Sequence, residues 1–151
     1  MHLATIGYEG AAQASVFEEL EKAGVNMLVD VRAVTSSRRP GFSKSHLLAG
    51  LPAHGVDYLH LRGLGTPKEG RLAARSGDAA GLKRIFGAHM KTPEARHDYE
   101  ALLGLLRAGR KVCLMCYEHD PATCHRTIIA ERVHQELGLD IRHLAPSLPR
   151  P

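Results

Sequence analysis

Short apolar runs alternate along this chain with longer stretches whose apolar positions recur three and four apart, which predicts alternating strands and helices. His2–Gly7 reads as a first strand, and residues 14–23 as a helix that buries Val16, Phe17 and Leu20 and stops at Gly24. Residues 25–31 form a second strand, so continuously apolar that it suits the buried centre of a parallel sheet. Ser43 reads as an N-cap with Phe42 and Leu47 placed as a hydrophobic staple, and a short helix follows to about His54. Residues 56–61 form the third strand, 63–67 a Gly/Pro-rich turn, and 68–78 an irregular, mobile segment. Helices are expected over 79–90 and 93–108, the second beginning at Thr92-Pro93 and carrying Tyr99, Leu102, Leu103 and Leu106 on one face.

The fourth strand, 111–116, leads into the most informative stretch of the chain, Cys116 to Arg126. Asp120 is a suitable N-cap and Pro121 a suitable first helical residue. Ile129, Val133 and Leu137 recur at helical spacing, and Gly138 supplies the stop. A fifth strand at 140–143 and a loose tail at 146–151 complete the reading. Strands alternating with helices imply an α/β fold of the Rossmann-like kind: a mainly parallel sheet, helices on both faces and right-handed crossovers. Ligands bind such sheets beyond the carboxyl ends of the strands. Tyr8 and Glu9, Asp30 and Arg32, residues 63–68, and Cys116 to Arg126 all follow strands, so all are candidates to line one crevice.

A chain of 151 residues, 44% hydrophobic, supports one well-buried core, here assigned to 1–145. No internal repeat and no Walker-type or Rossmann glycine fingerprint is present. No apolar run is long enough to span a bilayer and no signal-type leader opens the chain, which predicts a soluble, cytoplasmic protein without membrane partners. Three cysteines fit reduced thiols better than a disulfide framework. Cys113 and Cys116, three apart on a strand, point to opposite faces, which makes Cys113 a core residue. The net charge of +4 permits attraction to phosphates without resembling the dense basic arms of dedicated nucleic-acid binders.

The set Thr5-Ile6-Gly7-Tyr8-Glu9-Gly10, Asp30-Val31-Arg32, Ser37-Arg38, Pro40-Gly41-Phe42-Ser43-Lys44, Leu64-Gly65, Pro67-Lys68 with Arg71, and Cys124-His125-Arg126 resembles the bacterial family of unknown function numbered 488. The resemblance runs in the same order over nearly the whole chain. It implies a compact α/β domain with a shared pocket and brings no established reaction. Relatives are expected to carry proline after Asp-Val-Arg, where this chain has Ala33-Val34. The Cys-x-Glu and Cys-His-Arg elements of the family are filled by Cys116, Glu118, Cys124, His125 and Arg126.

Each candidate has a functional and a structural reading. Glu9 and Glu118 are candidate general bases, acids or nucleophiles, or else solvated loop carboxylates. Cys124 is a candidate nucleophile or redox thiol, activated by a helix start and Arg126, or else a small residue packed against a strand end. Arg126 at a helix start calls for an anion or a carboxylate, and Asp30, Glu9 and Glu118 are the available partners. Tyr8 orients a substrate or packs, Asp30 binds substrate or orients Arg32, and His125 contacts the ligand or fills a half-buried position. Arg32, Arg38, Lys44, Lys68 and Arg71 clamp phosphate or are solvated charges. A zinc site from Cys116, His119, Cys124 and His125 has suitable ligand types, but adjacent Cys124 and His125 are expected to leave a helix in different directions, so no metal is assigned.

These readings favour a small hydrolase or group transferase acting on a phosphate-bearing substrate, a nucleotide or a nucleic-acid end. The alternatives are a non-enzymatic nucleotide- or nucleic-acid-binding module and a redox sensor built on Cys116 and Cys124. The scarcity of aromatic residues, with no tryptophan, weighs against extensive base stacking.

Overall fold

A computed structural model describes residues 2–149; Met1 and the last two positions of the expected tail lie outside the described residues. Five strands, β1 (His2–Gly7), β2 (Met27–Asp30), β3 (Asp57–His60), β4 (Val112–Cys116) and β5 (Asp140–Leu144), form one sheet in the order β3-β2-β4-β1-β5. Every pairing is parallel. The helices are α1 (Gln13–Lys22), α2 (Lys44–Gly50), α3 (Lys68–Arg75), α4 (Ala79–His89), α5 (Pro93–Arg107) and α6 (His125–Leu137). Among the described residues no helix is long and apolar enough to cross a membrane.

The alternation of side chains along the buried strands divides the interior into two cores. Ile6, Leu28, Cys113 and Met115 face α1 and α2 and pack with Val16, Phe17, Leu20, Phe42 and Leu47. Leu3, Val29, Leu114 and Cys116 face the other way and pack with Phe86, Leu102, Leu103, Ile129 and Val133 from α4, α5 and α6. The opposite orientation of Cys113 and Cys116 follows directly. Burial of this order on both faces is the main stabilising contribution, at roughly 25 cal/mol per Å² of apolar surface.

The strand order also fixes where a crevice opens. β1 and β2 lead into helices on one face, whereas β4, lying between them, leads into α6 on the other. Chains diverging from neighbouring strands leave a crevice beyond their carboxyl ends. Two glycines let the surrounding loops close: a Cβ on Gly7 would meet the Glu118 carbonyl oxygen at 1.8 Å, and one on Gly65 would meet the Ala33 backbone at 2.5 Å. Both approaches are to protein backbone.

Three local expectations are corrected. The segment after Pro67, read as irregular, is the helix α3, because its packing side is built from small residues. Gly70 and Ala73 are buried, a Cβ on Gly70 would meet Thr66 at 2.3 Å, and the one large apolar residue, Leu72, is exposed, so no large apolar side chain marks the buried face. The helix after Lys44 ends at Gly50 and becomes a 3-10 turn over Leu51–His54 that contains Pro52. Ser43 holds the N-cap position without capping; its hydroxyl accepts from the Ser37 N–H at 3.0 Å.

Candidate functional site

The loop after β4 departs from the expected helix start in a way that shapes the site. Asp120 accepts from the Ala122 N–H at 2.9 Å, but it caps only a 3-10 turn, Pro121–Thr123. Cys124 then takes an extended conformation (φ −124°, ψ 140°) and is the residue that precedes α6. Thr127 Oγ1 ties the turn down by donating to the Pro121 carbonyl at 2.6 Å. Because Cys124 lies outside the helix and His125 inside it, their side chains converge. The ligating atoms of Cys116, Cys124 and His125 lie within 4.8 Å of one another, which overturns the expected divergence of Cys124 and His125.

His125 is the pivot of this group. Its Nε2 lies 2.7 Å from the Val31 carbonyl at the end of β2 and therefore carries the proton, leaving Nδ1 toward the sulfurs, 3.6 Å from Cys116 Sγ and 3.9 Å from Cys124 Sγ. Burial opposes protonation of His125, but Cys124, the Val31 carbonyl and Glu118 raise its pKa above the ordinary histidine value. Bonding to Cys124, then burial, push the Cys116 thiol up. Burial works against ionisation of Cys124 too, yet Cys116, His125 and Arg126 hold its thiol well below the ordinary range. Glu118 Oε2 stands 3.7 Å from Cys116 Sγ, and burial reinforced by Cys124 pushes this carboxyl up to about 7.

A cleft of about 840 Å³ opens above this group. Cys116, Glu118 and His125 lie along it, together with Tyr8 and Arg32 and with the basic side chains Arg38, Arg39, Arg71 and Arg75. Arg32 is buried beside Asp30, which is itself fully buried and accepts from Arg32 Nε at 2.9 Å and Nη2 at 2.7 Å. Arg32 Nη1 donates to the Tyr8 hydroxyl at 3.0 Å and the Phe42 carbonyl at 2.7 Å. Burial opposes the charge on Arg32; Asp30, then Tyr8, outweighs it and raises its pKa. Tyr8 is stacked on Phe42 with ring centroids 4.4 Å apart, so its ring is packed on that side.

The rim is freer. Arg71 donates to the Thr66 carbonyl at 2.9 Å and Arg39 Nε to the Ala11 carbonyl. The guanidinium groups of Arg38 and Arg75 make no hydrogen bond or ion pair among the described residues. The Thr66 hydroxyl, buried along the same cleft, has no partner among the described residues.

Other expected site residues lie elsewhere. Glu9 is exposed and accepts from the His119 backbone N–H at 3.0 Å, tying two loops together. Lys44 and Lys68 are exposed and do not line the cleft, and Cys124 sits just behind it. Arg126 is wholly buried. Its guanidinium donates to the Glu118 carbonyl at 2.6 Å, the His119 carbonyl at 3.4 Å and Thr5 Oγ1 at 3.3 Å, so loop carbonyls supply the negative partner that this helix start calls for. None of the carboxylates proposed for it is used.

Sequence reasoning did not single out Arg39, Arg75 or Thr66 as site residues, and it considered Cys116 only as part of a redox pair or a zinc set. A signal existed for Arg75: once α3 is a helix, Arg71 and Arg75 are four apart and share a face. The unpartnered state of Thr66 has no sequence signature.

Among curated proteins no match to the chain is found. The family model described as "Domain of unknown function DUF488" matches residues 13–133. That span takes in β2 to β4, the whole arginine rim and the Cys-His-Arg element, and the chain belongs to this family.

Proposed function

We propose that the cleft binds a phosphate-bearing, nucleotide-like substrate and that the protein acts on it as a hydrolase or group transferase. The observation that carries this reading is the charge of the cleft: Arg38, Arg39, Arg71 and Arg75 line it, beside Arg32 in its ion pair with Asp30, against Glu118 as the one lining carboxylate among the described residues. Arginines concentrated on a concave surface favour a ligand with several anionic oxygens, which they bind through paired N–H donors. A volume of about 840 Å³ lies within the range of small-molecule sites and suits a mononucleotide or the end of a strand. The unpartnered Thr66 hydroxyl supports a ligand that completes its hydrogen bonding. Tyr117, 45% exposed beside the cleft, offers an aromatic edge for a base.

In this reading Arg38 and Arg75 hold phosphate, Arg32 completes the anion site from below, and Glu118 takes or returns a proton at the reacting centre. Glu9 and Arg126 position the loop that carries Glu118, and Cys124 stands behind Cys116. Titration calorimetry with inorganic phosphate and nucleoside monophosphates tests the binding. Arg38→Ala and Arg75→Ala are each expected to weaken affinity about tenfold, the equivalent of roughly 1.4 kcal/mol, with an unchanged melting transition. Equal affinity in both variants would remove the anion site. Steep salt dependence with oligonucleotides and no turnover would point to a binding module instead.

A further inference from the structure

We infer that Cys116, Cys124 and His125 form a three-ligand site for a thiophilic divalent metal, zinc by chemistry, with its fourth position open to the cleft. The dimensions agree with those of the ion. A tetrahedral centre with Zn–S of about 2.3 Å and Zn–N of about 2.0–2.1 Å requires S···N edges of about 3.6 Å and an S···S edge of about 3.8 Å. Nδ1 of His125 lies 3.6 Å from Cys116 Sγ and 3.9 Å from Cys124 Sγ, and all three ligating atoms fall within 4.8 Å of one another.

The second observation is independent of these spacings. A metal-bound imidazole commonly donates its other N–H to a carbonyl or carboxylate, which fixes the ring and its tautomer. His125 Nε2 has such a partner in the Val31 carbonyl at 2.7 Å, so the Nδ1 lone pair is directed at the space between the sulfurs. All three ligands are buried, which limits their rotamers and holds them in place. They come from the end of β4, the residue before α6 and the first residue of α6, with Val31, the residue after β2, supplying the outer contact; the sheet and the helix together set the geometry.

Two thiolates and one neutral imidazole are the ligand set of a zinc site that retains an exchangeable position. Cys116 and His125 border the cleft, so that position faces the bound substrate. Glu118, with Oε2 3.7 Å from Cys116 Sγ, is the carboxylate beside it, placed to accept a proton from water held there. This catalytic consequence rests on the phosphate-binding reading above; the metal site itself does not.

The test uses the metal alone. The purified full chain, stripped with chelator under reducing conditions, is titrated with Co(II) and then with Zn(II). One equivalent of Co(II) is expected to give the visible bands of a tetrahedral centre together with near-ultraviolet sulfur-to-cobalt charge transfer, both abolished by one equivalent of Zn(II). Cys116→Ser and Cys124→Ser are each expected to lose part of the charge transfer and to weaken Zn(II) by more than the 10–100-fold typical of outer-shell changes. Cys113→Ala, on the opposite face of β4, keeps the full spectrum. If the wild-type chain takes up no stoichiometric Co(II) or Zn(II), or if Cys113→Ala alone removes the bands, the site is overturned. Phosphate calorimetry on the stripped protein separates the two ideas: binding of phosphate without metal uptake ends this inference and leaves the anion cleft standing.

Discussion

Arg126 Nη1 donates to the Glu118 carbonyl at 2.6 Å across the loop that joins β4 to α6. The bond makes a buried arginine the internal brace of the reactive loop, with the His119 carbonyl and Thr5 Oγ1 as further acceptors. Arg126→Ala leaves buried acceptors unpaired and opens a cavity, so a loss of about 3 kcal/mol of stability is expected. Urea unfolding measures it. A midpoint unchanged from wild type would show that the brace carries no load and restore Arg126 as a candidate anion contact.

Asp30 and Arg32 form a buried ion pair at 2.7 Å, and Tyr58 also donates to Asp30 at 2.5 Å. Removing one partner strands the other charge. Asp30→Ala is expected to cost about 3–5 kcal/mol, whereas joint replacement by Asp30→Ala and Arg32→Met is expected to cost less than the sum, because no unpaired charge remains. Chemical denaturation of the double-mutant cycle checks this; additive losses would mean that the two side chains act independently.

Thr66 pairs stability against binding. Its hydroxyl is buried without a partner, and Thr66→Val removes that group at nearly constant shape. The variant is expected to be as stable as wild type or up to about 1 kcal/mol more so, and to bind nucleoside monophosphate more weakly. Thermal unfolding with and without ligand reads both effects. A destabilised variant with unchanged affinity would make Thr66 a structural residue only.

His143 is expected to give the fold an acid sensitivity. Burial, then the charge of Arg126, lowers its pKa below 6.5, and its Nδ1 lies 2.6 Å from the Thr5 hydroxyl. A histidine whose folded pKa is depressed contributes stability above the unfolded value, and that contribution is lost as pH falls toward the folded value. Wild-type stability should therefore decline below about pH 6.5 more steeply than that of His143→Asn. Parallel pH profiles for the two proteins would discard the idea.

The elements that were legible in the sequence are those built on large apolar side chains. The run ending in Cys116 and the spacing of Val16, Phe17 and Leu20 each mark a period that no tertiary contact needs to supply. Gly24 and Gly138 were legible for a different reason, since both adopt the left-handed conformation that ends a helix (φ 70° and 72°). α3 was not legible because Gly70 and Ala73 pack through the smallness of their side chains, which leaves no hydrophobic mark.

The α/β alternation, the two-faced sheet and the family were all readable from the chain alone, because apolar periodicity, local turn chemistry and short motifs are written in neighbouring residues. Which charged side chains face the cleft emerged only from the tertiary structure. Nothing in residue spacing states that Arg126 turns inward to loop carbonyls, that Arg75 reaches the cleft, or that Cys124 breaks from α6 and brings its sulfur toward Cys116 and His125. Those outcomes depend on strand order and on where backbone donors and acceptors remain unpaired once the sheet is assembled, and both are properties of contacts between residues far apart in the chain.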